Sequence, residues 1–348
     1  MKKDLSSFLA DNLFMPPTTP SINSPKKNLP QVANNFLKPP ANIATRITKA
    51  VLTQAKPAPS TKKIRPILGV VTKAIKETPD TYTLQISVGP KDKDYLAGQF
   101  LNIDPHQFAE LSGMVAYLEN EKGKKELVRA YSITSAPFEE TVDITTRPEV
   151  YYPGDTKYPP LLSPLLASNA LVGRQITFGG YVGAYILKPE QAAQTNEVLH
   201  LVAGSGIVPN FAILKDELVN EKNSHIFHTM LYTNKTFEDI IFYKQLEELS
   251  DKYKNRFKLI HLLTREDDCA KYGNNFFKGR ISLDFVSRFI KDKQKVLVYA
   301  CGAGITKWQR KKAQEENKIA TPRFLESTGQ IAKDLNIDKK RYKREIYG

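Results

Sequence analysis

Three residues on one short segment could hold a large phosphorylated ring system. Arg129-Ala130-Tyr131-Ser132 has the pattern of a strand, and alternation along a strand puts Arg129 and Tyr131 on one face and Ser132 on the other. A guanidinium can grip a diphosphate through two oxygens, a tyrosine ring can cover a flavin, and a serine hydroxyl can hydrogen-bond to the flavin edge near N5. The string alone also suits an ordinary strand with one charged and one aromatic residue.

A glycine turn further along the chain offers a second anion-binding signature. The apolar run 199–203 leads into Gly204-Ser205-Gly206-Ile207-Val208-Pro209, and a helix-type run, 210–218, follows. Glycines let a backbone approach a pyrophosphate, and the helix supplies free amides and the positive end of its dipole. Each glycine alone fits a tight turn. The segment 129–132 and the glycine turn 204–209, taken together and in this order, predict a flavin site followed by a nicotinamide site.

The composition fits a globular protein of about two domains. The chain has 348 residues, 41% of them hydrophobic. It has no uninterrupted apolar run of about 18 residues, so we expect no spanning helix. Cys269 and Cys301 are too few and too far apart for an iron–sulfur or CxxC zinc site, so we expect no metal centre. No secretory segment begins the chain, which favours a cytoplasmic location.

Positive charge is concentrated at the start of the chain. The net charge is +14, and residues 1–63 hold ten lysine and arginine side chains against Asp4 and Asp11, as well as nine of the 22 prolines. Such a segment cannot bury enough apolar area to offset the entropy of ordering, so we expect a flexible basic leader. Within it, 5–15 and 43–55 could form helices. The second is basic and amphipathic, so contact with a membrane surface is the alternative to a solvated linker.

Two architectures follow one another after the leader. Short β-type runs separated by turn residues predict an antiparallel β-barrel or sandwich over 64–190. The predicted strands are 67–71, 82–88, 100–103, 114–118, 128–133, 142–145 and 176–178. In 191–348, apolar strands alternate with helical patterns, which predicts an α/β domain with a Rossmann-like parallel sheet. Its predicted strands are 198–203, 226–232, 257–263 and 296–300, with helices beginning near Val208, Glu238, Leu283 and Gly304.

The motifs resemble those of the ferredoxin–NADP reductase family, from about Ile64 to the C-terminus. Residues 129–132 resemble its R-x-Y-S flavin motif, and Ser135-Ala136-Pro137 after it is also usual there. Residues 161–163 resemble the segment that holds the flavin diphosphate, and 179–183 resemble the turn before the last barrel strand. This chain departs from the family at Pro159-Pro160, where glycine is usual, and at Pro164, which removes an amide that could donate to phosphate.

The resemblance implies a barrel that binds FAD and an α/β domain that binds a nicotinamide nucleotide. The flavin contacts would come from Arg129, Tyr131, Ser132, Thr146 and Ser163, with Tyr151 or Tyr152 stacking on the adenine of FAD. The nicotinamide contacts would come from Gly204, Gly206, Pro209 and Gly302. Cys301 would shape hydride transfer near the nicotinamide C4 without acting as a nucleophile. Tyr347 would lie over the flavin and move aside for the nicotinamide, unless it belongs to a frayed end.

The choice of nicotinamide nucleotide rests on two arginines. Arg265, in Thr264-Arg265-Glu266, and Arg280, in Gly279-Arg280-Ile281, resemble residues that pair with a 2′-phosphate in bacterial NADPH-using members. NADPH is therefore favoured. Solvent-exposed arginines in a basic chain are the competing explanation, and NADH is the alternative nucleotide.

Electrons from the flavin are expected to leave to a separate protein, because two cysteines exclude a fused ferredoxin. An acidic ferredoxin or flavodoxin would be drawn to the basic run 339–344. The alternatives are a reductase component that serves an oxygenase or cytochrome, and a redox-sensing module that binds nucleotide without turnover. Nucleic-acid binding is not expected, because the basic residues are not interleaved with aromatic ones.

Overall fold

The structure is a computed structural model that describes residues 65–151 and 156–347. The predicted leader, 1–63, with its two candidate helices lies outside the described residues, and so does Tyr152. The described residues fall within one compact unit, Thr61–Gly348.

The first lobe is a barrel-like antiparallel sheet of six strands. Its edge strands β4 and β5 approach each other through one bridge, between Ile133 and Ile144, so the barrel is incompletely closed. Leu84, Leu101 and Phe178 fill its interior. The strands are β1 (Pro66–Thr78), β2 (Thr81–Val88), β3 (Phe100–Ile103), β4 (Arg129–Ser132), β5 (Val142–Thr146) and β6 (Gln175–Val182), in the sheet order β4-β3-β6-β1-β2-β5. Three helices accompany them: α1 (Ser112–Lys122), α2 (Ser163–Leu166) and α3 (Pro189–Ala192).

The second lobe is a parallel sheet of six strands with helices packed against it. The strands are β7 (Glu197–Ala203), β8 (Phe227–Asn234), β9 (Phe257–Leu263), β10 (Phe276–Lys278), β11 (Leu297–Ala303) and β12 (Tyr342–Tyr347), in the order β10-β9-β8-β7-β11-β12. The helices are α4 (Ile207–Val219), α5 (Tyr243–Lys252), α6 (Leu283–Ser287), α7 (Lys307–Glu315) and α8 (Phe324–Asp334). β7 and β11 are buried almost throughout, because helices cover both sheet faces. The predicted fold class is thus confirmed.

One predicted strand is wrong. Residues 114–118 lie in α1, where Val115 and Leu118 are buried while Met114 and Tyr117 are exposed. A buried spacing of three is helical, whereas a half-buried strand would alternate. Gly123, with φ of +62°, ends this helix in the left-handed conformation.

Smaller differences concern boundaries. Residues 179–183 do not precede a further barrel strand; Gly179 continues the ladder of β6, pairing with Pro66. β10 and β12 were not predicted. α5 begins at Tyr243 and α7 at Lys307, each a few residues after the predicted start. The start of α7 is set by Thr306, whose side chain caps the helix by accepting a hydrogen bond from the Gln309 amide.

Residues 65–151 and 156–347 contain neither a candidate membrane span nor a candidate metal site. No helix there has the length and apolarity to cross a membrane. No three histidine, cysteine, aspartate or glutamate side chains there are grouped so as to hold a metal ion.

Candidate functional site

A cleft of about 690 Å³ lies between the barrel and the α/β lobe, at the carboxyl ends of β7, β8 and β11. Carboxyl ends of parallel strands are where α/β sheets bind ligands. The lining from the barrel includes Arg129, Tyr131, Ser132, Thr146 and Ser163, and the lining from the other lobe includes Gly204, Ser205, Thr233, Lys235, Glu345 and Tyr347. Six of the residues singled out in the sequence therefore share this cleft with Gly204.

The glycine turn needs both of its glycines. Gly204 has φ of +52°, a left-handed backbone that side chains disfavour. At Gly206 an added Cβ would lie 2.2 Å from the carbonyl oxygen of Cys301, so only glycine lets the turn pack on β11. Gly204 and Ser205 face the cleft, whereas Gly206 and Pro209 are buried behind them. The turn thus presents backbone, and the start of α4, to the cleft.

The two lobes meet at Ser132. Its Oγ donates a hydrogen bond to Glu345 Oε1, at 2.5 Å, although 213 residues separate them. Burial raises the pKa of Glu345, and the bond from Ser132 opposes that rise. Glu345 was missed in the sequence. Glu345 lies two residues before Tyr347 and shares its face of β12, but this alternation is informative only once the segment is known to be a strand.

Tyr347 ends β12, where it pairs with Ala303 of β11. It is partly buried, lines the cleft and packs against the cluster that contains Cys301, so its ring is held within the second lobe. Burial raises the pKa of its phenol. The ring therefore stays neutral at physiological pH.

Cys301 lies behind the cleft surface and is fully buried on β11. Burial, and secondly the neighbouring Glu345, raise the pKa of its thiol. A neutral, enclosed thiol is a poor nucleophile, in keeping with a role in shaping the site. Gly302 is buried beside it, and an added Cβ there would lie 2.6 Å from the ring of Phe324.

Arg129 reaches the cleft with its charge already partnered. Its guanidinium donates to the Glu126 carboxylate and to the Leu127 carbonyl. Glu126 also pairs with Lys122, which holds the pKa of this carboxyl below its usual value despite burial. Arg129 lines a second cavity of about 430 Å³ as well, together with Lys124, Lys125, Lys157 and Tyr158. A diphosphate at Arg129 would share the guanidinium with Glu126.

Two buried hydroxyls in the cleft lack protein partners. Thr146 Oγ1 on the barrel and Thr233 Oγ1 at the end of β8 make no hydrogen bond within the described residues. Buried polar atoms of this kind are usually satisfied, so these two fit a polar ligand or water. Ser163 Oγ is partly engaged, accepting from the Glu149 amide at 3.3 Å.

Besides the buried Gly206, Pro209, Cys301 and Gly302, three exposed residues that were predicted for the site lie outside the cleft lining. Tyr151 is 42% exposed and does not line the cleft. Arg265 and Arg280 are exposed beyond the ends of β9 and β10. The Arg265 amide donates to the carbonyl of Lys235, which lines the cleft, so Arg265 lies next to the cleft. Arg280 follows Gly279, whose amide donates to the carbonyl of Leu263 at the end of β9.

Comparison with known proteins agrees with this geometry. Residues 201–311 match the model of the oxidoreductase NAD-binding domain. NADH-cytochrome b5 reductase 2 of Xenopus laevis is 26% identical over 55% of this chain and 68% of its own length. Ferredoxin–NADP reductase of Synechocystis sp. is 24% identical over 63% of this chain and 52% of its own.

A solved structure shows the same fold over both lobes. The cytochrome b5 reductase domain of Ulva prolifera nitrate reductase superposes with a TM-score of 0.59 and 18% identity, covering 83% of this chain and all of that domain. The chain thus shares the two-lobe fold of that reductase domain, its residues 201–311 match an oxidoreductase NAD-binding domain, and it is similar in sequence to ferredoxin–NADP and cytochrome b5 reductases. The chain spans only about half to two thirds of the length of the two relatives described above.

Proposed function

We propose that the protein is an FAD-dependent oxidoreductase that takes electrons from NADPH and passes them to a separate one-electron carrier. The observation that carries this proposal is the meeting of Ser132, Glu345 and Tyr347 in the cleft that the glycine turn also faces. Residues from both lobes thus converge where a flavin and a nicotinamide would have to meet. FAD, when bound, supplies an acceptor for a hydride and a donor of single electrons.

The barrel side supplies groups suited to hold FAD. Arg129 offers a guanidinium for the diphosphate, and Tyr131 is a partly buried ring on the cleft wall. Thr146 has an unpartnered hydroxyl, and Ser163 begins α2 beside it in the lining. These groups bind and orient, which is the main requirement of hydride transfer.

Ser132 and Glu345 can hold and move a proton across the domain boundary. The serine donates to the carboxylate in this structure. Because burial raises the pKa of Glu345, this carboxyl takes up a proton at a higher pH than an exposed glutamate would. A protonated Glu345 could return the bond to the serine oxygen and free the serine proton to face a ligand.

The α/β side supplies groups suited to hold the nucleotide. The turn at Gly204 and Ser205 presents backbone amides for the pyrophosphate, and the Thr233 hydroxyl is free to bond a ligand. Tyr347 occupies the cleft and would have to move for a nicotinamide ring to enter. This gating needs no unfolding, because Tyr347 is the last residue of β12.

NADPH is preferred over NADH on charge. Lys235 lines the cleft, Arg265 is bonded to it through the backbone, and neither Arg265 nor Arg280 has a side-chain partner within the described residues. A 2′-phosphate would give these cations an anionic partner. NADH is the second candidate, because the Xenopus relative is named for that nucleotide.

The carrier is proposed to be acidic, such as a ferredoxin or flavodoxin. Lys339, Lys340 and Arg344 are exposed, and β12 runs from this basic segment into the cleft. A negatively charged carrier attracted there would dock beside the site. A cytochrome or an oxygenase component is the alternative acceptor.

The test is to purify the full chain, identify its flavin, and mix it anaerobically with NADPH or NADH in a stopped-flow instrument. We expect FAD, bleached by both nucleotides with a lower KM for NADPH, and electrons then accepted by a ferredoxin. A protein that binds FAD tightly but is bleached by neither nucleotide would be a binding module. A protein that takes up no FAD would contradict the proposal.

A further inference from the structure

We propose that Asn210 is a positioning residue for the nucleotide turn: it fixes the carbonyl of Gly206 and ties the turn to the segment that joins the two lobes. This inference rests on the proposed function for its nucleotide readout. It concerns a buried polar network that the proposed chemistry does not use.

Asn210 is completely buried in the first turn of α4. Its Nδ2 lies 3.1 Å from the Gly206 carbonyl oxygen and 3.1 Å from the Tyr185 hydroxyl. Its Oδ1 lies 2.8 Å from Nδ1 of His200. A side-chain amide with partners on both ends, in the core of an apolar lobe, has one orientation available.

The Tyr185 hydroxyl lies within hydrogen-bond distance of Asn210 Nδ2, at 3.1 Å, and of Oδ1, at 3.3 Å, so the orientation of the amide is set by its other partners. The Gly206 carbonyl can only accept, so the atom facing it is the amide nitrogen, and Oδ1 therefore faces His200. His200 Nδ1 must then carry a proton. Burial lowers the pKa of His200 to about 4, so its ring is neutral and Nε2 is an acceptor. That nitrogen lies 3.1 Å from Nδ1 of His228, which donates to it.

His228 ends the chain of bonds. Burial lowers the pKa of His228 as well, with His200 and Arg256 contributing, and its Nε2 has no partner within the described residues. His200 on β7 and His228 on β8 therefore act as a rigid, neutral backing for Asn210. Both histidines are fully buried, so solvent offers no competing partners.

Two contacts let this network fix the position of the glycine turn. Gly206 is held on its far side by the Cys301 backbone, which an added Cβ would meet at 2.2 Å, so Asn210 and β11 clamp the turn between them. Tyr185 follows β6 in the connection between the lobes, and its carbonyl abuts Gly98 of the barrel, where an added Cβ would lie 2.0 Å away. Asn210 thus relates the turn to the barrel as well as to its own sheet.

The test compares four variants of the full chain. Asn210→Asp keeps the acceptor for His200 but puts an oxygen where the donor to Gly206 was. His200→Leu removes the group that orients Asn210, whereas His200→Asn retains an amide donor near the Nδ1 position. Thr328→Val is the matched control, because Thr328 is a fully buried polar residue of α8 outside the cleft lining.

Two readouts are taken: the Kd for NADP⁺ by titration, and hydrogen exchange at the amides of 204–207 without nucleotide. We expect Asn210→Asp and His200→Leu to weaken binding about tenfold, the worth of one hydrogen bond, and to speed exchange at the turn. His200→Asn should keep the Kd for NADP⁺ and the exchange rates at 204–207 close to those of the wild type. Thr328→Val should change neither the Kd nor the exchange rates. Flavin content should be the same in all four.

Normal binding or normal exchange at the turn in Asn210→Asp would overturn the inference, as would an equal effect of Thr328→Val. Failure of the wild type to bind NADP⁺ would count against the proposed function instead. In that case the exchange measurement alone would decide whether Asn210 holds the turn.

Discussion

At the scale of single residues, the proposed site includes Ser132, which lines the cleft and donates a hydrogen bond to the partly buried carboxylate of Glu345. Ser132→Ala removes that hydroxyl, and we expect flavin bleaching by NADPH to slow roughly tenfold, the worth of a hydrogen bond of about 1.4 kcal/mol. Ser168→Ala is the control, because Ser168 bonds the Leu165 carbonyl and does not line the cleft. Equal rates for the two variants in stopped-flow experiments would exclude Ser132 from the reaction.

The raised pKa of Glu345 predicts how the stability of the fold changes with pH. Its folded pKa is raised by burial, so the protonated form suits the folded state. The contribution of Glu345 to the free energy of unfolding is therefore fully present below its pKa in the unfolded chain, about 4.3. That contribution is lost as the pH rises through its pKa in the folded protein. Glu345→Gln stays neutral throughout. We expect it to raise Tm on the order of 2 °C at pH 8 and to leave Tm unchanged near pH 4.

Thermal unfolding of wild type and Glu345→Gln at both pH values measures this difference. A stabilisation that is larger at pH 4 than at pH 8 would mean that the carboxylate, and not the carboxyl, is favoured in the fold. The Ser132 bond is kept in this comparison, because a glutamine oxygen can accept it.

At the scale of elements, the turn between β7 and α4 should tolerate no side chain at its last glycine. Gly206→Ala would place a Cβ 2.2 Å from a backbone oxygen of β11, so the turn must shift. We expect NADP⁺ affinity to fall tenfold or more, about 1.4 kcal/mol or more, while FAD is retained. Equilibrium titration of the purified variant checks this.

Gly329→Ala is the matched control, in the interior of α8. An added Cβ there would have only the Tyr342 hydroxyl nearby, at 3.8 Å, an ordinary contact. Alanine favours helix over glycine by about 1 kcal/mol, so this variant should be more stable and bind NADP⁺ normally. A loss of nucleotide binding in both variants would point to a general intolerance of substitution.

The elements also show how far the sequence alone could lead. Both sheets could be predicted because their strands have strong periodicity and the order of β-type and α/β patterns is plain. α1 could not, because a short apolar run over 114–118 resembles a strand until the burial of Val115 and Leu118 is known. β12 was hidden by its own charge, since Lys343, Arg344 and Glu345 interrupt any apolar pattern.

The candidate site likewise contains residues that local sequence patterns indicate and residues that they do not. Ser132 and the glycine turn were found because their local strings carry their chemistry. Glu345 becomes a site residue only through the pairing of β12 with β11, which no local pattern encodes. The Asn210 network was invisible for the same reason, because its members come from the connection after β6, from β7, from β8 and from α4. The ion pair between Arg129 and Glu126 could have been predicted, because Glu126 precedes Arg129 by only three residues.

At the scale of the whole molecule, ion pairs join the two lobes around the cleft. Arg147 of the barrel lies 3.0 Å from Asp239 of the α/β lobe, and Lys215 of α4 pairs with Glu139 of the barrel. These pairs, with the Ser132–Glu345 bond, tie the two lobes together.

The net charge of +14 makes a prediction about the carrier. Rates of electron transfer to an acidic ferredoxin should fall steeply between low salt and about 0.15 M salt, where the screening length shortens to about 8 Å. An uncharged quinone acceptor is the control and should show no such fall. A ferredoxin rate that is indifferent to salt would argue against docking on the basic segment 339–344.

The central claim is that a nicotinamide and a flavin meet in the cleft between the lobes for direct hydride transfer. Anaerobic stopped-flow bleaching with NADPH deuterated at either face of C4 tests it most directly. We expect a primary isotope effect on bleaching for only one of the two labelled nucleotides, because a fixed cleft would present one face of the nicotinamide to the flavin. Bleaching with no isotope effect from either label, or no bleaching of the FAD-loaded protein, would contradict it.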